Sequence, residues 1–395
     1  MSEPRDQRMV WLDLARGLSA IAVCFDHLHP AFLPDYDTIA QPPVGEELFY
    51  FFTGLGHQAV AVFFVLSGMF VGGSVLNAGS RFRFGKYAIA RLTRLWVVLI
   101  PALVVTAIAD SISLRNEPRL ASGLLYEVWH TGAMLPGADF SRSPTTFFGN
   151  LAFLQTTLVP VFGSNSPLWS LANEFWYYVL FPLMVTTARL ETSIPRRVLC
   201  ALLLVLLFLG LPDYILYGFL IWLMGVVAIA ISWRLTYRVR IPALLVTAAA
   251  FVYSLLLSRN PAWPRPGNLP VDVILGAAFA AFAIVLARWP EPRRNALGRV
   301  IRNVIMALAE PSYSLYLFHF PLIVCIASST DLDAVRTVNA RAFVMFFGCF
   351  LLLMVVNAGV WFLFERNTTT IRRWITKRLT NRHMARGNAA AVVTR

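Results

Sequence analysis

Arg16, Asp26, His27 and His29 stand within one hydrophobic stretch, MVWLDLARGLSAIAVCFDHLHPAF, which begins at Met9. Ionisable groups at membrane depth are costly and are kept where they do work. On a helix, the eleven residues from Arg16 to His27 make about three full turns, so both side chains face the same way with about 16 Å of rise between them. One helix would then present a permanent cation at one depth and a titratable imidazole near the opposite end.

Other groups have spacing suited to chemistry. Counted by depth, His27 lies near the outer end of its span and Glu174 about 9 Å in from the outer end of another, so the two can meet. A histidine beside a carboxylate is an oriented general base, its tautomer fixed and its imidazolium stabilised by the acid. The competing reading is two buried polar groups satisfied separately. Asp26 points about 100° away from His27 and is the weaker partner, and His29 reads as interfacial. Glu174 and Tyr178 share a helix face and can bind one substrate or each other. Arg91 and Arg94 form an R-x-x-R pair suited either to diphosphate and ribose phosphate or to anchoring at the membrane surface. Ser312, Tyr316 and His319 fall within about 60° of one another and give an apolar helix a polar stripe, for substrate or for helix association. Ser67 and Gly68 in FFVLSG read as a close-packing site rather than a nucleophile. Cys24, Cys200, Cys325 and Cys349 lie in apolar segments without metal-like spacing, and no metal is expected.

The elements that must position these groups are membrane helices. Of 395 residues, 57% are hydrophobic and only 14% charged. Apolar runs of spanning length recur, continuous rather than alternating, which argues against a β-barrel and leaves no polar stretch large enough for a soluble domain. The predicted fold class is all-α, a polytopic bundle of about ten transmembrane helices, near residues 9–30, 48–76, 95–109, 168–188, 198–211, 214–233, 241–257, 271–287, 304–328 and 341–364. Basic residues gather in alternate loops, the first holding Arg81, Arg83, Lys86, Arg91 and Arg94, which sets both termini on the cytoplasmic side. The net charge of +13 has the same origin and faces anionic lipid rather than nucleic acid. An apolar piece from Phe147 to Phe162, ended by GSNSP, is expected as a re-entrant or interfacial helix. Residues 1–365 read as one transmembrane domain and 366–395 as a basic cytoplasmic tail, able to lie as an amphipathic helix on the inner leaflet. The first stretch reads as an uncleaved span, and no internal repeat is visible.

Together, R-x10-H (Arg16, His27), FFVLSG (Phe63 to Gly68), R-x-x-R (Arg91, Arg94), LWSLANEFWYYVLFP with E-x-x-x-Y (Glu174, Tyr178) and SYSLYLFH (Ser312 to His319) resemble the acyltransferase family 3 membrane proteins, in order and over nearly the whole chain. Members of that family acylate cell-surface polysaccharides and related glycans. The resemblance implies that cytoplasmic acyl-CoA, acetyl-CoA or succinyl-CoA, donates to a hydroxyl of an exopolysaccharide, another envelope glycan or a lipid-linked oligosaccharide at the outer side of the bacterial inner membrane. On this reading Arg91 and Arg94 hold the nucleotide phosphates and Arg16 assists the donor part-way in. His27, oriented by Glu174 or Asp26, acts near the outer end, with Tyr178, Ser312, Tyr316, His319 and His57 in support. Two positions depart from the family's pattern. An acidic residue common before FFVLSG is Ala61 here, with His57 nearby, and a second Glu after LWSL is Phe175.

The expected chemistry is direct transfer, with His27 deprotonating a sugar hydroxyl that attacks the thioester carbonyl. An acyl-enzyme relay through His27 is the main rival, and one through Cys24 a remote one. A transporter or flippase of an anionic lipid-linked glycan, using Arg16, His27 and Glu174 as a coupling site, is the alternative of a different class. A non-catalytic scaffold leaves the intramembrane polar groups unexplained. Expected partners are acyl-CoA, the glycan acceptor and membrane lipids, with no nucleic acid; a homo-oligomer is compatible with the sequence.

Overall fold

The computed structural model describes residues 9–39, 42–129, 140–231, 237–259, 269–332 and 336–379. Helices follow in the order α1 (Val10–Phe32), α2 (Val44–Thr53), α3 (Gly56–Ser67), a π-turn (Gly68–Gly72), α4 (Gly73–Ala78), α5 (Phe84–Asn116), α6 (Leu124–Trp129), α7 (Pro144–Leu151) and α8 (Leu168–Ala188). They continue as α9 (Ile194–Gly210), α10 (Asp213–Ala230), α11 (Tyr237–Ser258), α12 (Leu269–Leu286), α13 (Ala296–Ala309), α14 (Ser312–Ala327) and α15 (Ala340–Leu363). Among the described residues, β structure is limited to two isolated bridges.

Six helical stretches among these residues are long and apolar enough to cross a membrane: Val44–Arg81, Phe84–Asn116, Asp213–Ala230, Val239–Ser258, Leu269–Leu286 and Ala340–Leu379. The span expected at 304–328 divides into α13 and α14, because Pro311 between them cannot continue a helical hydrogen-bond ladder. The span expected at 95–109 is instead the 33-residue α5, about 50 Å long at 1.5 Å per residue and longer than a bilayer core. Past α15, one 3-10 turn at Glu365–Asn367 leads into further helix over 368–379. The rest of the expected tail, 380–395, and the proline-rich stretch 260–268 lie outside the described residues.

α1 sits inside the bundle, packed against α3, α13, α14 and α15, while α14 also packs on α5. α10 packs on α3, the π-turn and α12, and α8 carries α9 on its outer side. No residue of α9 is buried, and Leu199, Leu202, Leu206 and Leu209 are exposed. Such an apolar rim suits hydrocarbon as its solvent.

The piece expected as a helix from Phe147 to Phe162 keeps only α7. Beyond Leu151 the chain is irregular yet buried, with Phe153 and Thr156 at φ of 60° and 64°. Buried non-helical backbone needs partners for its polar groups, and here side chains supply them. Asn150 donates to Pro160 O at 2.9 Å and accepts from Phe162 N at 3.1 Å, and Asp110 of α5 accepts the Ser164 N–H at 3.0 Å and hydroxyl at 2.5 Å. Phe153 stacks on Phe175 with centroids 4.5 Å apart, so the phenyl ring that stands where the family pattern has a second Glu anchors this re-entrant loop.

Where α3 runs into the π-turn, α10 crosses at backbone contact. A Cβ on Gly68 would collide with the Trp222 carbonyl, and one on Gly225 with the Val65 carbonyl. Small residues at such crossings let helices approach closely in lipid. Gly68→Ala should therefore lower thermal stability in detergent by about 1–3 kcal/mol. Gly348→Ala on α15, where nothing lies within 4 Å of the added Cβ, should leave the melting temperature unchanged.

Candidate active site

One end of the bundle holds a cavity of about 990 Å³, lined by the C-terminal part of α1, the starts of α3, α10 and α12, the end of α11 and the re-entrant loop. Asp26, His27, His29, His57, Tyr214, Arg259, Asp272 and Tyr316 are among its wall residues. The loops that follow α1, α9 and α11 are expected on one side of the membrane from their charge, and their flanking residues do share this cavity.

His27 meets His319 rather than Glu174. The Nδ1 of His27 lies 2.8 Å from the Nε2 of His319, and the Nδ1 of His319 lies 2.9 Å from the Leu315 carbonyl one turn back on α14. A carbonyl only accepts, so His319 carries its proton on Nδ1 and, when neutral, accepts at Nε2. His27 then donates from Nδ1, which leaves its Nε2 with a lone pair. Uptake of a proton at Nε2 would break none of these bonds, and that is the requirement for an oriented base. Trp129 fixes the same turn by donating to the His27 carbonyl at 3.1 Å.

Glu174 has a compatible depth but different neighbours, since α8 packs on α9, α10 and α3 whereas α1 does not adjoin it closely. Its carboxylate accepts from Ser67 Oγ at 2.8 Å and from the Tyr178 hydroxyl, and Trp222 Nε1 donates to Ser67 at 3.1 Å. The E-x-x-x-Y pair thus binds itself, together with the serine of FFVLSG. Asp26 is likewise not on His27: its carboxylate sits against Gly56, where any Cβ would collide with it. His29 bonds Thr53 at 2.5 Å. His57 lies 2.9 Å from Asp272 on α12 and lines the cavity near Ala61.

The polar stripe of α14 divides in the same way. Ser312 turns back to the Ala309 carbonyl at 2.7 Å and closes the corner between α13 and α14. Tyr316 meets Ser170 at 2.6 Å, and only His319 reaches His27.

The arginines also separate. Arg16 pairs with Asp13 at 2.9 Å and donates to Ala309 O at 3.2 Å, at the C-terminus of α13, where a cation is favoured. Arg94 pairs with buried Glu365 at 3.1 Å and lies over the Tyr313 ring. Glu365 also accepts the Ser314 N–H at 3.0 Å and hydroxyl at 2.7 Å, a carboxylate at the start of α14. Arg94 therefore ties α5, α14 and the end of α15 together and does not line the basic cavity where Arg91 is found. That second cavity, about 470 Å³, lies at the far end of the helical run that begins with α3, and Arg81, Arg83, Lys86, Tyr87 and Arg91 line it. The Nε of Arg91 is buried without a hydrogen-bond partner.

Among the partners that sequence reading missed are Asp13, Glu365, Asp272, Ser67 on Glu174, and the pairing of His319 with His27. Asp13 stands three residues before Arg16, so that ion pair had a visible signal in its i, i+3 spacing. The others come from helices distant in the chain and had none. Among the described residues no group of three or more His, Cys, Asp or Glu is arranged to hold a metal ion.

Comparison with known proteins gives one family and one curated relative. The acyltransferase domain of family 3 matches residues 9–366. The acyltransferase MdmB of Streptomyces mycarofaciens is 30% identical over 199 residues, which is 49% of this chain and 43% of that protein. No solved structure matches the chain. With the family match running from the start of α1 to the turn after α15, this chain belongs to the acyltransferase family 3 of membrane proteins.

Proposed function

We propose that the protein is an O-acyltransferase of the bacterial inner membrane that moves an acyl group, acetyl or succinyl, from cytoplasmic acyl-CoA to a sugar hydroxyl of an exopolysaccharide or other envelope glycan. The observation that carries this reading is His27, held by the His319–Leu315 chain with Nε2 uncommitted on the wall of the large cavity. In this reading that cavity faces outward and takes the acceptor, with about ten spans and both termini on the cytoplasmic side.

The donor suits the other end. Phosphates need clustered cations, and Arg81, Arg83, Lys86 and Arg91 surround the smaller cavity. From Gly56 to Ala78 the helical run joining the two cavities spans 23 residues, about 33 Å. The donor's nucleotide would rest at the basic mouth, with its acyl arm extended through the bundle toward His27. Arg91, rather than Arg94 or Arg16, is the cation of the R-x-x-R and R-x10-H motifs placed to hold it.

In the reaction His27 Nε2 takes the proton of the acceptor hydroxyl as its oxygen attacks the thioester carbonyl. The C–S bond then breaks, an ester forms, and the imidazolium returns its proton to the departing thiolate. The acceptor's loss of H⁺ and the thiol's gain balance. His319 positions His27 and takes no proton from substrate.

Thiol release from acetyl-CoA and succinyl-CoA by purified protein tests the reading. His27→Ala should abolish release, and His319→Ala should cost about 100-fold in kcat by freeing the base; wild-type protein that cleaves neither thioester with any glycan acceptor would sink it. The two arginines should behave differently. Arg91→Gln should raise the donor KM about tenfold. Arg94→Gln should instead lower stability by about 3 kcal/mol, because it strands the buried Glu365 carboxylate, as read by thermal unfolding.

A further inference from the structure

The large cavity holds a second imidazole that the reaction above does not use. His57, in the first turn of α3, hydrogen-bonds Asp272 of α12 at 2.9 Å through Nε2. A carboxylate accepts, so the ring's proton is on Nε2 and Nδ1 is the free nitrogen. Nδ1 has no protein partner among the described residues, and the His57 side chain is 34% exposed on a cavity wall. Asp26 of α1, Asp35 just after it and Arg259 at the end of α11 are the other charged groups of this wall, beside the imidazoles of His27 and His29. The contact between Asp26 and Gly56 sets His27 and His57, each the next residue along, on adjoining helices.

One nitrogen of His57 is fixed by a carboxylate and the other is left to whatever enters the cavity. A neutral imidazole accepts at Nδ1 and a protonated one donates there, and a hydroxyl can answer either. The carboxylates Asp26, Asp35 and Asp272 outnumber Arg259 among the charged wall residues, which disfavours an acidic group at this position. Trp169 of α8, partly exposed on this wall, adds an apolar ring surface of the kind a sugar ring can lie on.

We propose that His57, held by Asp272, binds a second hydroxyl of the acceptor while His27 engages the reacting one, so that the acceptor is an uncharged polyol such as a hexose unit and not a simple alcohol. His57 is on this account an acceptor-binding residue, and Asp272 the residue that positions it. The proposal rests on the reading of this cavity as the acceptor side of the transferase.

Calorimetric binding in phospholipid nanodiscs, free of glycoside detergent, separates the two claims. The probes are methyl glycosides of the common hexoses, with cyclohexanol as the single-hydroxyl comparison. Wild-type protein should bind a methyl hexoside and not cyclohexanol. His57→Gln and Asp272→Asn should each weaken hexoside binding about tenfold or more, and the double variant should be no weaker than His57→Gln alone. If Asp272→Asn does not fold, His57→Gln and His57→Leu carry the comparison. Unchanged affinity in His57→Gln, or no binding of any methyl hexoside by the wild type, overturns the proposal. Thioester cleavage is measured apart: hexoside binding without cleavage of either acyl-CoA would defeat the transferase reading and leave the polyol site standing, and cleavage without hexoside binding would do the reverse.

Discussion

A polar group inside a membrane bundle has no water to fall back on, so it must be matched by another part of the protein. In this protein that requirement decides how the helices meet. Arg16 reaches the open carbonyl end of α13, Glu365 reaches the open N–H end of α14, and Arg94 joins that carboxylate to α5. Asp110 receives Ser164 and so fixes the re-entrant loop that forms part of the cavity wall. Apolar packing fills the space between these ties, but side chains as apolar as lipid tails do little to choose among neighbours. The polar matches choose.

That logic explains what the sequence could and could not reveal. Hydropathy and loop charge locate helices along the chain, and rise per residue gives depth within the membrane. Neither gives azimuth. His27 and Glu174 have compatible depths, yet they stand on helices that are not close neighbours, and each is satisfied by a partner nearer to hand, His319 for one and Ser67 with Tyr178 for the other. The candidate residues were therefore legible in type and depth, while most of the contacts were not. The exceptions lie within one helix, where spacing alone brings partners together: Glu174 with Tyr178, which the i, i+4 spacing offered, and Asp13 with Arg16, whose i, i+3 signal was there to be read.

The helix boundaries failed for local reasons. Apolar residues dominate 304–328 on both sides of Glu310-Pro311-Ser312, so averaged composition merges α13 with α14, although Pro311 already carried the signal of a break. The segment after α7 is apolar enough to suggest helix. It is held irregular by Asn150, Asp110 and the stacking of Phe153 on Phe175, contacts whose partners are separated in sequence. Phe175 shows how a departure from a family's pattern can be structural: the ring supports the loop on which one cavity wall depends.

The pairing requirement also sorts the motif residues by what remains uncommitted. Ser312 is closed on the Ala309 carbonyl, Arg94 on Glu365, and Glu174 on Ser67 and Tyr178, and each of these unions joins separate parts of the chain or braces one helix. His27 Nε2, Arg91 Nε and His57 Nδ1 lack such closure. Two of the three face the large cavity, and the third belongs to an arginine on the basic one. Of the three, the Arg91 Nε is buried, where an unmatched polar atom opposes folding, whereas the His57 side chain is 34% exposed. In the proposed function these three groups are the ones left for the substrates, the donor at the basic mouth and the acceptor at the opposite end of the bundle.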